Sequence, residues 1–199
     1  MGLGKQAKTL NKNQIKMLGD LLINSRNGLR DQTIFYLSTK AGLRAKEIAL
    51  VKWSMVMNSD GSVGDYLHLT NASSKGKSGR IVPLNKDLKN NLSMMVEQRK
   101  DEIGFNPELS FIVITERSSS TSPQAIVNQF QRWYRRFGLI GCSSHSGRRT
   151  FITETSKRIS TVGGSLRDIQ MMVGHSSLQT TQRYIEADSD SQRRVVDLI

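Results

Sequence analysis

Tyr66-Leu67-His68-Leu69-Thr70-Asn71-Ala72-Ser73-Ser74-Lys75-Gly76-Lys77-Ser78-Gly79-Arg80-Ile81-Val82-Pro83 is the stretch that decides the fold class. Its two ends, Tyr66 to Leu69 and Arg80 to Pro83, read as strands, with Pro83 at a strand end or edge. Between them lies a polar, glycine-containing loop. Upstream, Asn58-Ser59-Asp60-Gly61 is a turn signal. A small antiparallel sheet is therefore predicted between Met55 and Leu84.

Outward from this hairpin the period changes from two to that of a helix. On the N-terminal side Ile15, Leu18 and Leu22 predict a helix over Asn11 to Asn24. The stretch Asn24 to Gly28 breaks it. A second helix carries Ile34, Leu37 and Ala41 and ends near Gly42; a third runs from Ala45 to Lys52. On the C-terminal side Leu88, Leu92, Met95 and Arg99 share one helical face, and Phe111 to Ile114 reads as a lone short strand. Ser122-Pro123 opens a helix whose stripe Ile126, Phe130, Trp133 and Phe137 is core. Helices follow over Ser146 to Arg158 and Leu166 to Val173, and a last one begins near Ser189 with Val195, Val196 and Ile199. The expected fold is mainly α with a small antiparallel β-sheet, an α+β class. Residues 1–10 read as a loose basic arm, 11–188 as one compact body, and 189–199 as a tail helix.

Of 199 residues, 37% are hydrophobic, enough for a packed core rather than a disordered chain. Lys and Arg number 29 against 17 Asp and Glu, a net charge of +12 that favours a polyanionic partner, nucleic acid first. No basic amphipathic helix suits a membrane surface, and no apolar run reaches transmembrane length. The segment Met1 to Leu10 lacks the apolar centre of a signal peptide. With the single cysteine, Cys142, no intramolecular disulfide can form; a soluble, cytoplasmic protein is expected.

Two other chemistries are set aside. Asn71-Ala72-Ser73-Ser74-Lys75-Gly76-Lys77-Ser78 nearly matches a phosphate-binding P-loop. However, Asn71 replaces the first glycine, and a strand follows where a helix must present its N-terminal amides. The histidines His68, His145 and His175 have no metal-ligand spacing, one cysteine completes no zinc set, and no carboxylate cluster flanks the basic motifs. No metal and no other cofactor is expected.

Metal-free exchange at a phosphodiester needs cations on the non-bridging oxygens, a nucleophile, and an acid for the leaving oxygen. Arginine binds phosphate with a planar fork that stays charged. A tyrosine phenol can attack phosphorus covalently, and Lys or His can protonate a leaving oxygen. Such residues occur in three settings. Gly42-Leu43-Arg44-Ala45-Lys46-Glu47-Ile48 sets an arginine before a helix. His145-Ser146-Gly147-Arg148-Arg149-Thr150 puts His145 and Arg148 on one helical face. Gly174-His175-Ser176-Ser177-Leu178-Gln179-Thr180-Thr181-Gln182-Arg183-Tyr184 ends on a tyrosine nine residues after a histidine.

These blocks resemble the signature of the tyrosine recombinase, or phage integrase, family. That family has Gly-Leu-Arg-x-x-Glu, a lysine on a β-hairpin, His-x-x-Arg, and Gly-His followed by Thr-Thr and the nucleophilic tyrosine. Lys75-Gly76-Lys77-Ser78-Gly79-Arg80-Ile81-Val82-Pro83 matches the lysine block in its proper order, and the likeness runs over residues 10–187. The resemblance implies a catalytic-domain fold for 11–188. Arg44 and Arg148 would clamp the scissile phosphate, and Lys75 would be the general acid. His145 would assist proton transfer or hold the phosphate, and His175 would bond a non-bridging oxygen. Tyr184 would form a 3′-phosphotyrosyl link, with Glu47 in support. Lys77, Arg80, Arg149 and Arg183 are expected to contact DNA.

Double-stranded DNA is the implied partner, with a monomer alone and a homotetramer on DNA. The tail 189–199 either packs on its own domain or docks in trans on a neighbour. The resemblance also leaves room for type IB topoisomerase-like relaxation or a non-catalytic DNA-binding module. Two departures stand out: Gly147 occupies a place usually held by a bulky apolar residue, which is expected to weaken local packing, and the further N-terminal DNA-binding domain of most members is not in this sequence. The chain is expected to be either a catalytic fragment or a single-domain recombinase.

Overall fold

The computed structural model describes residues 7–73, 79–184 and 196–197. Among these the order is α1 (Lys12–Ile23), α2 (Gly28–Thr39), α3 (Ala45–Leu50), a 3₁₀ turn (Trp53–Met55), β1 (Tyr66–Leu69), β2 (Arg80–Pro83), α4 (Lys86–Arg99) and α5 (Pro123–Arg136). Then come α6 (Ser146–Ser156), a second 3₁₀ turn (Ile159–Val162), α7 (Leu166–Val173) and α8 (Leu178–Gln182). The fold is mainly α with one two-stranded antiparallel sheet, as the sequence indicates. Lys75, Lys77 and the tail helix expected from Ser189 lie outside the described residues, apart from positions 196–197.

Side-chain caps set the helix starts. The Asn11 side chain accepts from the Gln14 N–H while the Gln14 side chain accepts from the Asn11 N–H, so two orphan donors are satisfied at once. Ser122 caps α5 through the Ala125 N–H, with Pro123 at the first helical position. The α5 stripe Ile126, Phe130 and Trp133 is buried together with Tyr134, and it packs against α3. Helix α2 lies between α1, α4 and α6. A smaller cluster, Ile152, Ile169 and Val173, joins α6 to α7 and takes in Tyr184 at its edge.

Three boundaries differ from the sequence reading. Helix α2 stops at Thr39, and Gly42 (φ +67°) turns the chain so that the Leu43 N–H reaches the Leu37 carbonyl at 3.0 Å. Phe111 to Ile114 is not a strand: Phe111 makes one bridge to Lys52, and the Ile112 N–H donates to the Val51 carbonyl at 3.0 Å. The N-terminal arm is not loose over its described part. Lys8 N–H bonds the Gly141 carbonyl at 3.1 Å, Leu10 N–H bonds the Thr150 hydroxyl at 2.8 Å, and Leu10 is buried in the core.

The hairpin register pairs Leu67 with Val82 and Leu69 with Arg80. Strand alternation sends Leu67, Leu69, Arg80 and Val82 inward and leaves Tyr66, His68, Ile81 and Pro83 outside. Helix α7 packs against β2, so Arg80 points into the body of the protein.

The departure at Gly147 has a steric reason. A Cβ there would lie 2.3 Å from Ser38 Oγ and 2.9 Å from Ser38 Cβ, so glycine lets α6 approach α2 closely. The expected weakening of local packing is thus the reverse of what is seen. Gly147→Ala should lower stability by about 1–3 kcal/mol, the usual cost of overpacking. Ser38→Gly in the same chain should return much of that loss. Denaturant unfolding of the two single variants and the double variant reads the coupling; simple additivity would contradict the contact.

Candidate active site

Arg44 stands at the N-cap of α3, and Glu47 is three residues into the first turn. Glu47 reaches back: Oε2 accepts the Arg44 backbone N–H at 2.8 Å, and Oε1 accepts Arg44 Nη1 at 3.1 Å. A carboxylate at a helix N-terminus also suits the helix dipole. Glu47 is fully buried, and Arg44 keeps about a quarter of its side chain exposed (26%). The same carboxylate receives a bidentate fork from Arg80, Nη1 to Oε1 at 2.8 Å and Nη2 to Oε2 at 3.0 Å. Burial alone would raise the Glu47 pKa. The bonds and charge of Arg80, the Arg44 amide and the charge of Arg148 outweigh it and hold the carboxyl below its ordinary value.

Arg148 sits in the first turn of α6 and is almost fully buried. Its Nη1 donates to the Gly42 carbonyl at 2.6 Å and its Nη2 to the Val173 carbonyl at 2.7 Å. The first anchor is two residues before Arg44, so the two arginines share one corner of the molecule. Burial, then the charge of Arg44, lowers the Arg148 pKa to about 9, which leaves it charged at neutral pH; Glu47 and Tyr184 pull the other way. Two guanidinium groups, Arg44 and Arg80, therefore bind one carboxylate, and the charge of a third, Arg148, reaches it. The excess of positive charge suits a phosphate anion.

His175 follows Gly174, which ends α7 in the left-handed conformation (φ +64°). Its ring is buried, and Nδ1 lies 3.0 Å from the Thr181 hydroxyl. The Gln170 amide donates to the His175 carbonyl at 2.9 Å and fixes the turn. Burial first, then the charges of Arg148, Arg44 and Arg80, lower the imidazole pKa to about 4, so the ring is neutral. The Tyr184 ring stacks on His175 with centroids 5.5 Å apart and planes 23° apart. Its backbone is tied down as well: the N–H donates to the Thr181 carbonyl at 3.0 Å, and the carbonyl accepts the Thr153 hydroxyl at 3.2 Å. A cleft of about 1280 Å³ opens beside these groups, lined in part by Arg44, Arg80, Gly174, His175 and Thr180.

The structure thus gathers Arg44, Glu47, Arg148, His175 and Tyr184. His145 is exposed, at the residue preceding α6, one turn from Arg148. Lys75 and Lys77 lie outside the described residues. Arg183 is exposed at the end of α8. Arg149 is half-buried, with Nη1 on the Ala7 carbonyl at 3.2 Å, so it braces the N-terminal segment. The expectation that Arg80 contacts DNA is corrected: its side chain is only 5% exposed and its fork is held by Glu47. Strand parity with Val82 was the signal that could have shown this. Sequence reasoning gave no role to Thr181 or Gln170, which orient His175; Thr181 is marked in the sequence as part of the Thr-Thr pair of its block, and Gln170 only by its nearness to His175.

The fold is that of tyrosine recombinase catalytic domains. It matches the crystal structure of XerA recombinase with a TM-score of 0.73 at 19% identity, over 100% of this chain and 65% of that one. The Tn1549 transposon integrase in complex with a circular intermediate DNA matches with a TM-score of 0.74 at 15% identity, over 99% and 67%. XerH recombinase bound to a palindromic difH substrate, a post-cleavage complex, matches with a TM-score of 0.73 at 16% identity, over 98% and 54%. The chain belongs to the phage integrase family, whose model matches residues 8–191. It is 27% identical over 190 residues to tyrosine recombinase XerA of Pyrococcus horikoshii, covering 96% of this chain and 60% of that protein. It is 28% identical over 198 residues to tyrosine recombinase XerC of Shewanella sp. (strain ANA-3), covering 97% and 62%. The chain spans about three fifths of the length of these relatives.

The buried neutral ring makes stability pH-dependent. The folded-state value of about 4 lies below the ~6.5 of an unfolded histidine, so the unfolded chain takes the proton first. The stabilising contribution is complete above about pH 6.5, declines as pH falls through this window, and is fully lost below about pH 4. Unfolding measured between pH 4 and 7.5 should show a steeper acid decline for the wild type than for His175→Gln. An imidazole that titrates near ~6.5 by NMR in the free protein would contradict the assignment.

Proposed function

We propose that this chain is the catalytic domain of a site-specific DNA recombinase that cuts and rejoins strands through a 3′-phosphotyrosyl intermediate, without metal or ATP. The observation that carries the reading is the group of Arg44 and Arg80 on one carboxylate with the charge of Arg148 beside it, next to a neutral histidine stacked on Tyr184. A phosphodiester carries one negative charge, and its five-coordinate transition state carries two. A site with excess positive charge therefore favours the transition state over the ground state. Preorganisation supports this: Arg148 is fixed by two carbonyls and Arg44 by Glu47, so neither guanidinium must reorganise as charge builds.

In this reading the Tyr184 oxygen attacks phosphorus, and the bond to the 5′-oxygen breaks. Arg44 and Arg148 hold the non-bridging oxygens. With the Thr181 hydroxyl donating to Nδ1 of His175, the ring hydrogen sits on Nε2, which donates to one of those oxygens. Of the two roles the family resemblance leaves to His145, this reading takes proton transfer: His145 takes the phenol proton, and Lys75 gives one to the leaving 5′-oxygen. Attack by a 5′-hydroxyl on the phosphotyrosine reverses the step, so the bond energy is kept and no nucleotide cofactor is consumed. Duplex DNA is the partner, in keeping with the net charge of +12. The chain acts as a monomer alone and a tetramer on DNA, the segment 189–199 docking on a neighbouring copy in a closed ring.

The test is covalent capture. The wild-type chain is incubated with a pool of nicked duplexes randomised around the nick, and linked DNA is recovered. Tyr184→Phe should abolish the adduct with DNA binding retained. Arg44→Ala and Arg148→Ala should each slow its formation by ~10²–10³-fold. An adduct that survives Tyr184→Phe, or maps to another residue such as Tyr134, would sink the assignment.

A further inference from the structure

We propose that Arg80 is a positioning residue for strand cleavage, one that neutralises Glu47 so that the charge of Arg44 stays available to the phosphate. The inference rests on the function proposed above. It starts from the hairpin register, which sets Arg80 opposite Leu69 on the inward face. A buried arginine needs fixed acceptors, and Arg80 has them. Its two terminal nitrogens hold the two oxygens of Glu47, and its Nε donates to the Met172 carbonyl at 2.7 Å.

The carboxylate is shared unequally. Each oxygen of Glu47 accepts one bond from Arg44 and one from Arg80, yet only one of the Arg44 bonds comes from its guanidinium, and at 3.1 Å it is the longest of the four. Arg80 makes the parallel, bidentate pair, the stronger geometry for a guanidinium on a carboxylate. The partition has a functional consequence. A buried carboxylate paired with Arg44 alone would cancel the one guanidinium that remains partly exposed. With Arg80 in place, Glu47 aims Arg44 without consuming its charge.

A second feature points to the same role. A Cβ on Gly174 would lie 3.1 Å from Arg80 Cδ and 3.2 Å from its Nη1. The glycine before His175 therefore leaves the path along which the Arg80 side chain crosses the end of α7. Arg80 touches the anchor of Arg44 and the turn of His175 at once. A merely structural role, clipping β2 to α7, would require the Met172 bond and the packing but not the charge.

The experiment measures single-turnover adduct formation on duplexes that the wild-type chain has captured. Arg80→Gln should slow it by ~10–100-fold, the range seen when a group that orients a primary ligand is lost. Its affinity for the same duplex should stay within about twofold, since only the chemical step is affected. Arg80→Lys keeps the charge but loses the fork, and should react clearly faster than Arg80→Gln. Arg80→Gln with Glu47→Gln removes one cation and one anion together, and should also react faster than Arg80→Gln alone. If Arg80→Gln cleaves at the wild-type rate, or if neither Arg80→Lys nor the double variant improves on it, the inference fails. If Arg80→Gln does not fold, the double variant decides: a rate within ~10-fold of wild type supports charge compensation, and a loss as deep as that of Tyr184→Phe overturns it. A wild-type chain that captures no duplex defeats the underlying function instead, which separates the two failures.

Discussion

One buried carboxylate holds the site together. Three guanidinium groups in one interior corner repel one another, and each loses water on burial. Glu47 is the anion that makes the arrangement possible, bound on both oxygens by Arg80 and by Arg44. Backbone carbonyls supply the rest. The last carbonyls of a helix have no partner within it and carry the negative end of its dipole. At the end of α7 these orphans, Met172 and Val173, accept from Arg80 and Arg148. The end of one short helix thus holds two of the three cations.

This constraint explains why the site is assembled from helix ends rather than helix faces. Gly42 and Gly174 both adopt positive φ just past the ends of α2 and α7. Gly42 turns its carbonyl to Arg148 and leads directly into Arg44. A Cβ on Gly42 would lie 2.5 Å from the Phe151 ring, so the turn also needs the space. Gly147 lets α6 lie against α2, which brings Arg148 within reach of that carbonyl. The apolar core fixes the helices, and the glycines let their ends converge. Tyr184 is held at the margin by the small α6–α7 cluster, its stack on His175 and two backbone bonds, whereas Arg80 and Arg148 are each bonded at more than one acceptor.

The helices were legible because their apolar stripes repeat at helical spacing and their starts carry explicit caps, as at Asn11 and Ser122. The hairpin was legible from its two short strands. The site residues were legible through ordered motifs, since Arg44, His175 and Tyr184 stand in stretches where local spacing is constrained by the turn or helix that presents them. What could not be read was what each side chain would touch across the fold. Arg80 looked like a surface cation until its parity with Val82 put it inside. Glu47 looked like a supporting carboxylate, and its sharing between two arginines depends on a contact between α3 and β2, 33 residues apart in sequence. Phe111 to Ile114 has strand composition, but among the described residues it makes a single bridge, to Lys52. Gly147 read as a weakness because its neighbour Ser38 was invisible in the local sequence.

In the proposed reaction the corner bounded by Arg44, Arg148 and His175 receives a phosphoryl group in its transition state. The most direct measurement of this is a crystal structure of the chain with orthovanadate and nicked duplex DNA, since five-coordinate vanadate imitates that geometry. The expected result is vanadium with equatorial oxygens bonded by Arg44, Arg148 and His175 Nε2, and with the Tyr184 oxygen at one apex. Vanadate held elsewhere, or a Tyr184 oxygen that stays out of line with it, would contradict it.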